Sequence, residues 1–124
     1  MASRRCTGPT DEVRATVLTR DGHRCVRCGS GQDLTIHHRV NRGMGSSREE
    51  WINRPANLLT ACHTCNMWFE DHPRASYGEG WKVRRPMFPT EMPVLYPDGR
   101  RYVLLHDGTL TAVTRPPRSL GSAR

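Results

Sequence analysis

Two Cys-x-x-Cys pairs, Cys25/Cys28 and Cys62/Cys65, stand thirty-three residues apart in a basic chain of 124. Four thiolates at that spacing close a tetrahedral zinc site with no open position, which makes the ion a staple and not a reagent. The loop they close carries a histidine doublet, His37 and His38, while Asn57 and Asn66 lie around the second pair. A neutral imidazole can accept a proton near neutral pH, because its unperturbed pKa is about 6.5. Closing the loop brings the histidines beside the asparagines, so the cysteines place the chemistry without taking part in it. Zinc binding in such a site is also folding energy, and the apoprotein should be largely unfolded.

The positioning elements are read from pattern. Thr10 can cap a helix whose first turn holds Asp11 and Glu12, with Val13, Val17 and Leu18 on one stripe and an end at Asp21-Gly22. Cys25 to Gly29 is a tight knuckle in which the glycine lets the backbone turn toward the metal. Leu34 to Val40 reads as a strand, Asn41 to Pro55 as a long Gly/Ser/Arg-rich loop carrying Trp51, and Asn57 to Ala61 as a second strand. Asn66 to about Asp71 reads as a short helix with Met67, Trp68 and Phe69 toward the core. Asp71 caps a further turn with an early proline, Pro73, ending at Gly78 and Gly80, and Trp81 to Val83 is extended.

After the proline-rich stretch from Pro86 to Pro93, strand signals recur at Val94 to Tyr96, Tyr102 to Leu105 and Leu110 to Val113. Pro97-Asp98-Gly99 and Asp107-Gly108 separate them, which predicts a small meander. The expected organisation is a basic arm over 1–9, a zinc-stapled domain over 10–85, a meander appendage over 86–113 and a disordered tail over 114–124.

Composition sets the class. One domain is all that this length allows, and a core so small needs a staple. Lys and Arg number 19 against 12 Asp and Glu, for a net charge of +7, and Lys82 is the lone lysine. Guanidinium-rich charge favours bidentate phosphate contacts and is the footprint of a nucleic-acid binder. No apolar run is long enough to span a membrane, and the Met1 to Pro9 arm lacks the apolar segment of a secretory signal. A cytoplasmic location is expected, where paired cysteines are metal ligands rather than disulfides and Cys6 is a free thiol.

Leu34-Thr35-Ile36-His37-His38, Asn57-Leu58-Leu59-Thr60 and Cys62-His63-Thr64-Cys65-Asn66 together resemble the His-Asn-His (HNH) nuclease motif in its zinc-ribbon form. The similarity spans Asp11 to Val83 and is nearest to small endonucleases that actinobacterial phages encode beside their packaging genes. It implies an α+β fold of treble-clef, ββα-metal type, and metal-dependent hydrolysis of DNA to 5′-phosphate and 3′-hydroxyl ends.

Such hydrolysis needs an activated in-line water, neutralised phosphoryl oxygens and a stabilised leaving oxygen. By the resemblance, His38 is the general base, His37 and Asn66 hold one catalytic divalent ion, and Asn57 pins the loop backbone that orients His38. Strand alternation sends His37 and His38 to opposite sides, so they cannot share one job. Asn66 stands where many members have histidine. With no certain carboxylate at the ion, Mn²⁺, Ni²⁺ or Zn²⁺ should serve as well as Mg²⁺. Glu70, one helical turn past Asn66, is the candidate carboxylate.

Arg39, Arg42 and Arg48 flank the histidines and are candidates to grip phosphates. His23, His63, His72 and His106 are assigned no chemistry, and the three tryptophans are read as core. Double-stranded DNA is the expected substrate of a monomer or weak dimer, and the resemblance implies a phage large terminase subunit as partner. The rival readings are a non-catalytic zinc ribbon that binds nucleic acid and an adaptor module.

Overall fold

The computed structural model describes residues 8–41 and 50–113. Residues 1–7 of the expected arm, the tail over 114–124, Cys6, Arg42 and Arg48 lie outside the described residues. The first helix, α1, is Asp11–Arg20, and Thr10 caps it by accepting from the Val13 amide at 3.2 Å. Its apolar stripe is thinner than the spacing suggests: Val17 is the buried residue, while Val13 and Leu18 are half-buried.

A polar joint anchors the helix instead. The Arg20 guanidinium pairs with Asp21 at 2.9 Å and donates to the carbonyls of Pro55 (2.8 Å) and Leu58 (2.6 Å). The Asp21 carboxylate also accepts from the Thr60 amide (3.0 Å) and the Tyr96 hydroxyl (2.6 Å). A buried ion pair is stable only when its remaining hydrogen-bonding capacity is filled in this way.

Strands β1 (Leu34–His38) and β2 (Leu58–Cys62) form an antiparallel pair in which Leu34 faces Cys62 and His38 faces Leu58. All five residues of β2 are buried, because it packs against α1 and the helix that follows it. That helix, α2, is His63–Asp71 and begins three residues before the sequence suggests. The reason is an unusual cap: the Cys62 sulfur accepts from the Cys65 amide at 3.4 Å. Phe69 is buried, whereas Met67, expected in the core, is exposed.

Helix α3 (Pro73–Gly78) follows, with His72 rather than Asp71 at its cap position. Gly80 sits at φ +82°, and a Cβ there would lie 1.9 Å from the Pro93 carbonyl oxygen, so only glycine fits. The segment after it forms no strand, although the Val83 amide bonds the Arg39 carbonyl (2.9 Å).

The meander is present as β3 (Val94–Leu95), β4 (Arg101–Leu104) and β5 (Leu110–Ala112), an antiparallel sheet in that order. It is no appendage. Val94 and Leu104 are fully buried in the same cluster as Cys25, Leu59, Cys62, Phe69 and Trp81. A second, smaller cluster joins Val40, Ile52 and Val83, flanked by Trp51 and Met92. The protein is thus a small α+β fold with two sheets, and no helix among the described residues is long and apolar enough to cross a membrane.

Candidate functional site

The four paired cysteines converge. Cys25 and Cys28 come from the turn after α1, where Gly29 takes φ +82°; Cys62 ends β2 and Cys65 lies in the first turn of α2. Their Sγ atoms all lie within 4.8 Å of one another, with Cys28 and Cys62 3.8 Å apart. Zinc–sulfur bonds of about 2.3 Å in a tetrahedron put sulfurs about 3.8 Å apart, so the set fits such an ion. Three of the thiols are buried and Cys28 is exposed.

Burial pushes the Cys65 thiol up to about 12, although the Arg27 guanidinium donates to its sulfur at 3.4 Å. Burial also raises Cys25, but backbone donors from Cys28, Cys62 and Arg27 outweigh it and bring this thiol down to about 7. Arg27 itself lies 3.6 Å over the Trp68 ring, which holds one positive charge beside the sulfur cluster.

Thr35 and His37 share the face of β1 that α2 covers. Asn66 donates through Nδ2 to the Thr35 hydroxyl (2.8 Å), and the His37 ring packs 4.6 Å from that of Phe69. His37 and Asn66 therefore lie along one seam between strand and helix. His37 is 4% exposed, and its Nε2 is 2.8 Å from the Trp81 carbonyl oxygen. A carbonyl only accepts, so Nε2 carries the hydrogen and Nδ1 holds the lone pair. Burial lowers the His37 pKa to about 4, opposed by the bond to Trp81, and the ring is neutral at physiological pH. A neutral imidazole whose second nitrogen donates to a carbonyl is the usual state of a metal-ligating histidine.

His38 faces the other way. Its Nε2 lies 2.8 Å from Oδ1 of Asn53, at the end of the 3-10 turn Glu50–Asn53. Asn57, fully buried, accepts from the Val40 amide (2.8 Å) and donates to the carbonyls of Ile52 (2.9 Å) and Val40 (3.3 Å). This one amide ties the chain just after His38 to the chain just before Asn53, and so fixes the frame in which His38 and Asn53 meet. Scans against known protein families, curated proteins and solved structures return no match. The reading of the site rests on these residues.

Glu70 is exposed and pairs with the buried Lys82 at 3.0 Å. Of the remaining histidines, His63 and His23 are exposed, and His72 stacks 4.2 Å from Trp68. The buried Nδ1 of His106 has no hydrogen-bond partner among the described residues.

Arg39, expected to contact phosphate, does not reach solvent. It is 0% exposed, and its guanidinium donates to the carbonyls of Gly80 (2.8 Å), Ala56 (2.9 Å), Pro89 (3.0 Å) and Met92 (2.6 Å). Burial brings its pKa down to about 9, which still leaves it charged near neutrality. Its role is to fasten three backbone segments around its own position, next to His38. Arg39→Met, which keeps the volume and removes the donors, is expected to cost about 3 kcal/mol or more by denaturant unfolding, because buried carbonyls are left unpaired. Wild-type stability with weakened DNA binding would restore the phosphate role.

Sequence reasoning missed Asn53, the Trp81 carbonyl and the Arg27–Cys65 contact. Asn53 carried a detectable signal, an amide four residues before Asn57 in a loop otherwise rich in charge. The other two arise from folding alone.

Proposed function

We propose that this chain is a metal-dependent DNA endonuclease of the HNH type, with a structural zinc ion in the four-cysteine cluster. One observation carries the reading: His37 and Asn66 share the seam between β1 and α2, while the adjacent His38 is held by Asn53 in a frame pinned by Asn57. The β1–β2 hairpin followed by α2 suits the ββα-metal form of a treble clef.

Nδ1 of His37 and Oδ1 of Asn66 are the atoms that would hold the catalytic ion, with Glu70 one helical turn past Asn66 and engaged by Lys82. A divalent ion held there would supply charge neutralisation for the reacting phosphate. His38 takes the proton of a water molecule whose oxygen attacks phosphorus, and the bond to the leaving 3′ oxygen breaks. With one nitrogen and one amide oxygen as donors, Mn²⁺, Ni²⁺ or Zn²⁺ is expected to serve at least as well as Mg²⁺. One such site cuts one strand of duplex DNA. A terminase large subunit as partner follows from the resemblance to phage enzymes.

A second reading has its own observation. The burial of His37 and the Asn66–Thr35 bond also suit a metal-stapled nucleic-acid binder in which both side chains are structural. Conversion of supercoiled plasmid to open circle separates the two. The zinc-loaded wild type is expected to nick with at least one of Mg²⁺, Mn²⁺, Ni²⁺ and Zn²⁺, and Asn66→Ala to need about tenfold more metal at unchanged DNA affinity. Equal losses in both would make Asn66 a DNA contact. Absence of nicking with every metal would leave the binding module.

A further inference from the structure

We propose that Lys82 and Glu70 form a charge lock at the metal seat between β1 and α2, in which the Lys82 ammonium holds the Glu70 carboxylate against any divalent ion that would draw it away. Lys82 acts as a positioning residue, and it sets how readily the seat accepts an ion. The inference rests on the nuclease reading for an ion at His37 and Asn66.

Two short steps along the chain tie the pair to the seat. The His37 ring lies 4.6 Å from that of Phe69, its Nε2 is 2.8 Å from the Trp81 carbonyl oxygen, and the Phe69 and Trp81 rings meet at 5.4 Å. Glu70 follows Phe69 and Lys82 follows Trp81, and these two successors meet at 3.0 Å between Nζ and Oε2. Glu70 is also one helical turn past Asn66, on the face of α2 that Asn66 turns toward Thr35. Burial and the bond to Trp81 act most strongly on the His37 ring, and next come Lys82, which lowers its pKa, and Glu70, which raises it. Both charges therefore reach the ring.

Exposure divides the pair unequally. The Lys82 side chain is 4% exposed and that of Glu70 55%. The carboxylate is free to turn toward water or an ion, whereas the ammonium stays inside. Nζ also lies 5.8 Å over the Tyr77 ring, but Glu70 is its one carboxylate partner among the described residues. A buried ammonium stripped of its counter-charge is left uncompensated, so an ion that takes Glu70 must offset that separation. A doubly charged ion also meets the repulsion of the ammonium itself.

The test is Mn²⁺ binding to the full-length zinc-loaded protein without DNA, read from the loss of the free-ion electron paramagnetic resonance signal. Mn²⁺ competes poorly for thiolates, so the cysteine cluster does not contribute. Lys82→Met, which keeps the apolar stem and removes the charge, is expected to tighten binding about tenfold or more. Lys82→Gln should do the same, which covers the case of a methionine that packs badly. Adding Glu70→Gln to either should abolish the gain, and Lys82→Arg, which keeps the charge, should bind no more tightly than the wild type.

A pair that only braces the seat predicts the opposite sign, since a loosened seat holds an ion less well. Affinity unchanged or weakened in both uncharged Lys82 variants, a gain that survives Glu70→Gln, or no Mn²⁺ bound by any of these proteins would each overturn the lock. Plasmid nicking by the wild type is scored separately. Nicking with unaltered Mn²⁺ affinity in the variants rejects the lock alone, and tightened affinity without nicking rejects the nuclease alone.

Discussion

His38→Ala is expected to lower plasmid nicking by about 10²–10⁴-fold, the range that a positioned general base contributes. Its zinc content, melting temperature and duplex affinity should match those of the wild type. The structural basis for this split is that His38 is half-buried, meets the side chain of Asn53 and lies outside both core clusters. The backbone around it is fixed by other groups, Asn57 and Arg39, which the substitution leaves in place. A fully active His38→Ala protein would eliminate the proposed base. A variant that is inactive but also melts early would show His38 to be a structural strap for the Glu50–Asn53 turn.

Loss of the structural ion should have the larger effect on the fold. Cys25, Cys62 and Cys65 belong to the main core cluster, so the cage and the core are one body. Structural zinc sites contribute about 10–16 kcal/mol, as much as or more than the whole stability of a domain this size. Cys25→Ser is therefore expected to release zinc and abolish the cooperative melting transition.

That variant also places a hydroxyl in a fully buried position, and Cys28→Ser removes the ambiguity. Cys28 is exposed, so a packing role predicts almost no change, whereas a ligand role predicts unfolding nearly as complete. Chelation of the wild type should give the same unfolded spectrum. Unchanged melting of Cys28→Ser would count against a four-sulfur ion.

What the amino-acid sequence reveals about this fold is whatever depends on neighbours along the chain. The Thr10 cap, the left-handed turn at Gly29 and the meander set by Pro97-Asp98-Gly99 and Asp107-Gly108 are such features, and the structure has all of them. The pinning role of Asn57 was implied by the resemblance and not by its position, and its amide does bond Val40 and Ile52.

Arg39 was not legible, and the reason is physical. An arginine in a basic chain ordinarily faces water, and only the arrival of Ala56, Gly80, Pro89 and Met92 carbonyls from three later segments makes its burial favourable. The start of α2 escaped for a different reason. Its cap is a thiol, a group with weak hydrogen-bonding character that a search for Ser, Thr, Asp or Asn passes over. The integral meander also escaped, because alternation within three short strands does not say which body their inner face covers.

Cys62 both belongs to the sulfur cluster and terminates the helix on which Asn66 rides. A chain made where zinc is scarce would lack the ion that secures this helix start, so whatever chemistry depends on Asn66 would wait on a metal supply sufficient to complete the cluster.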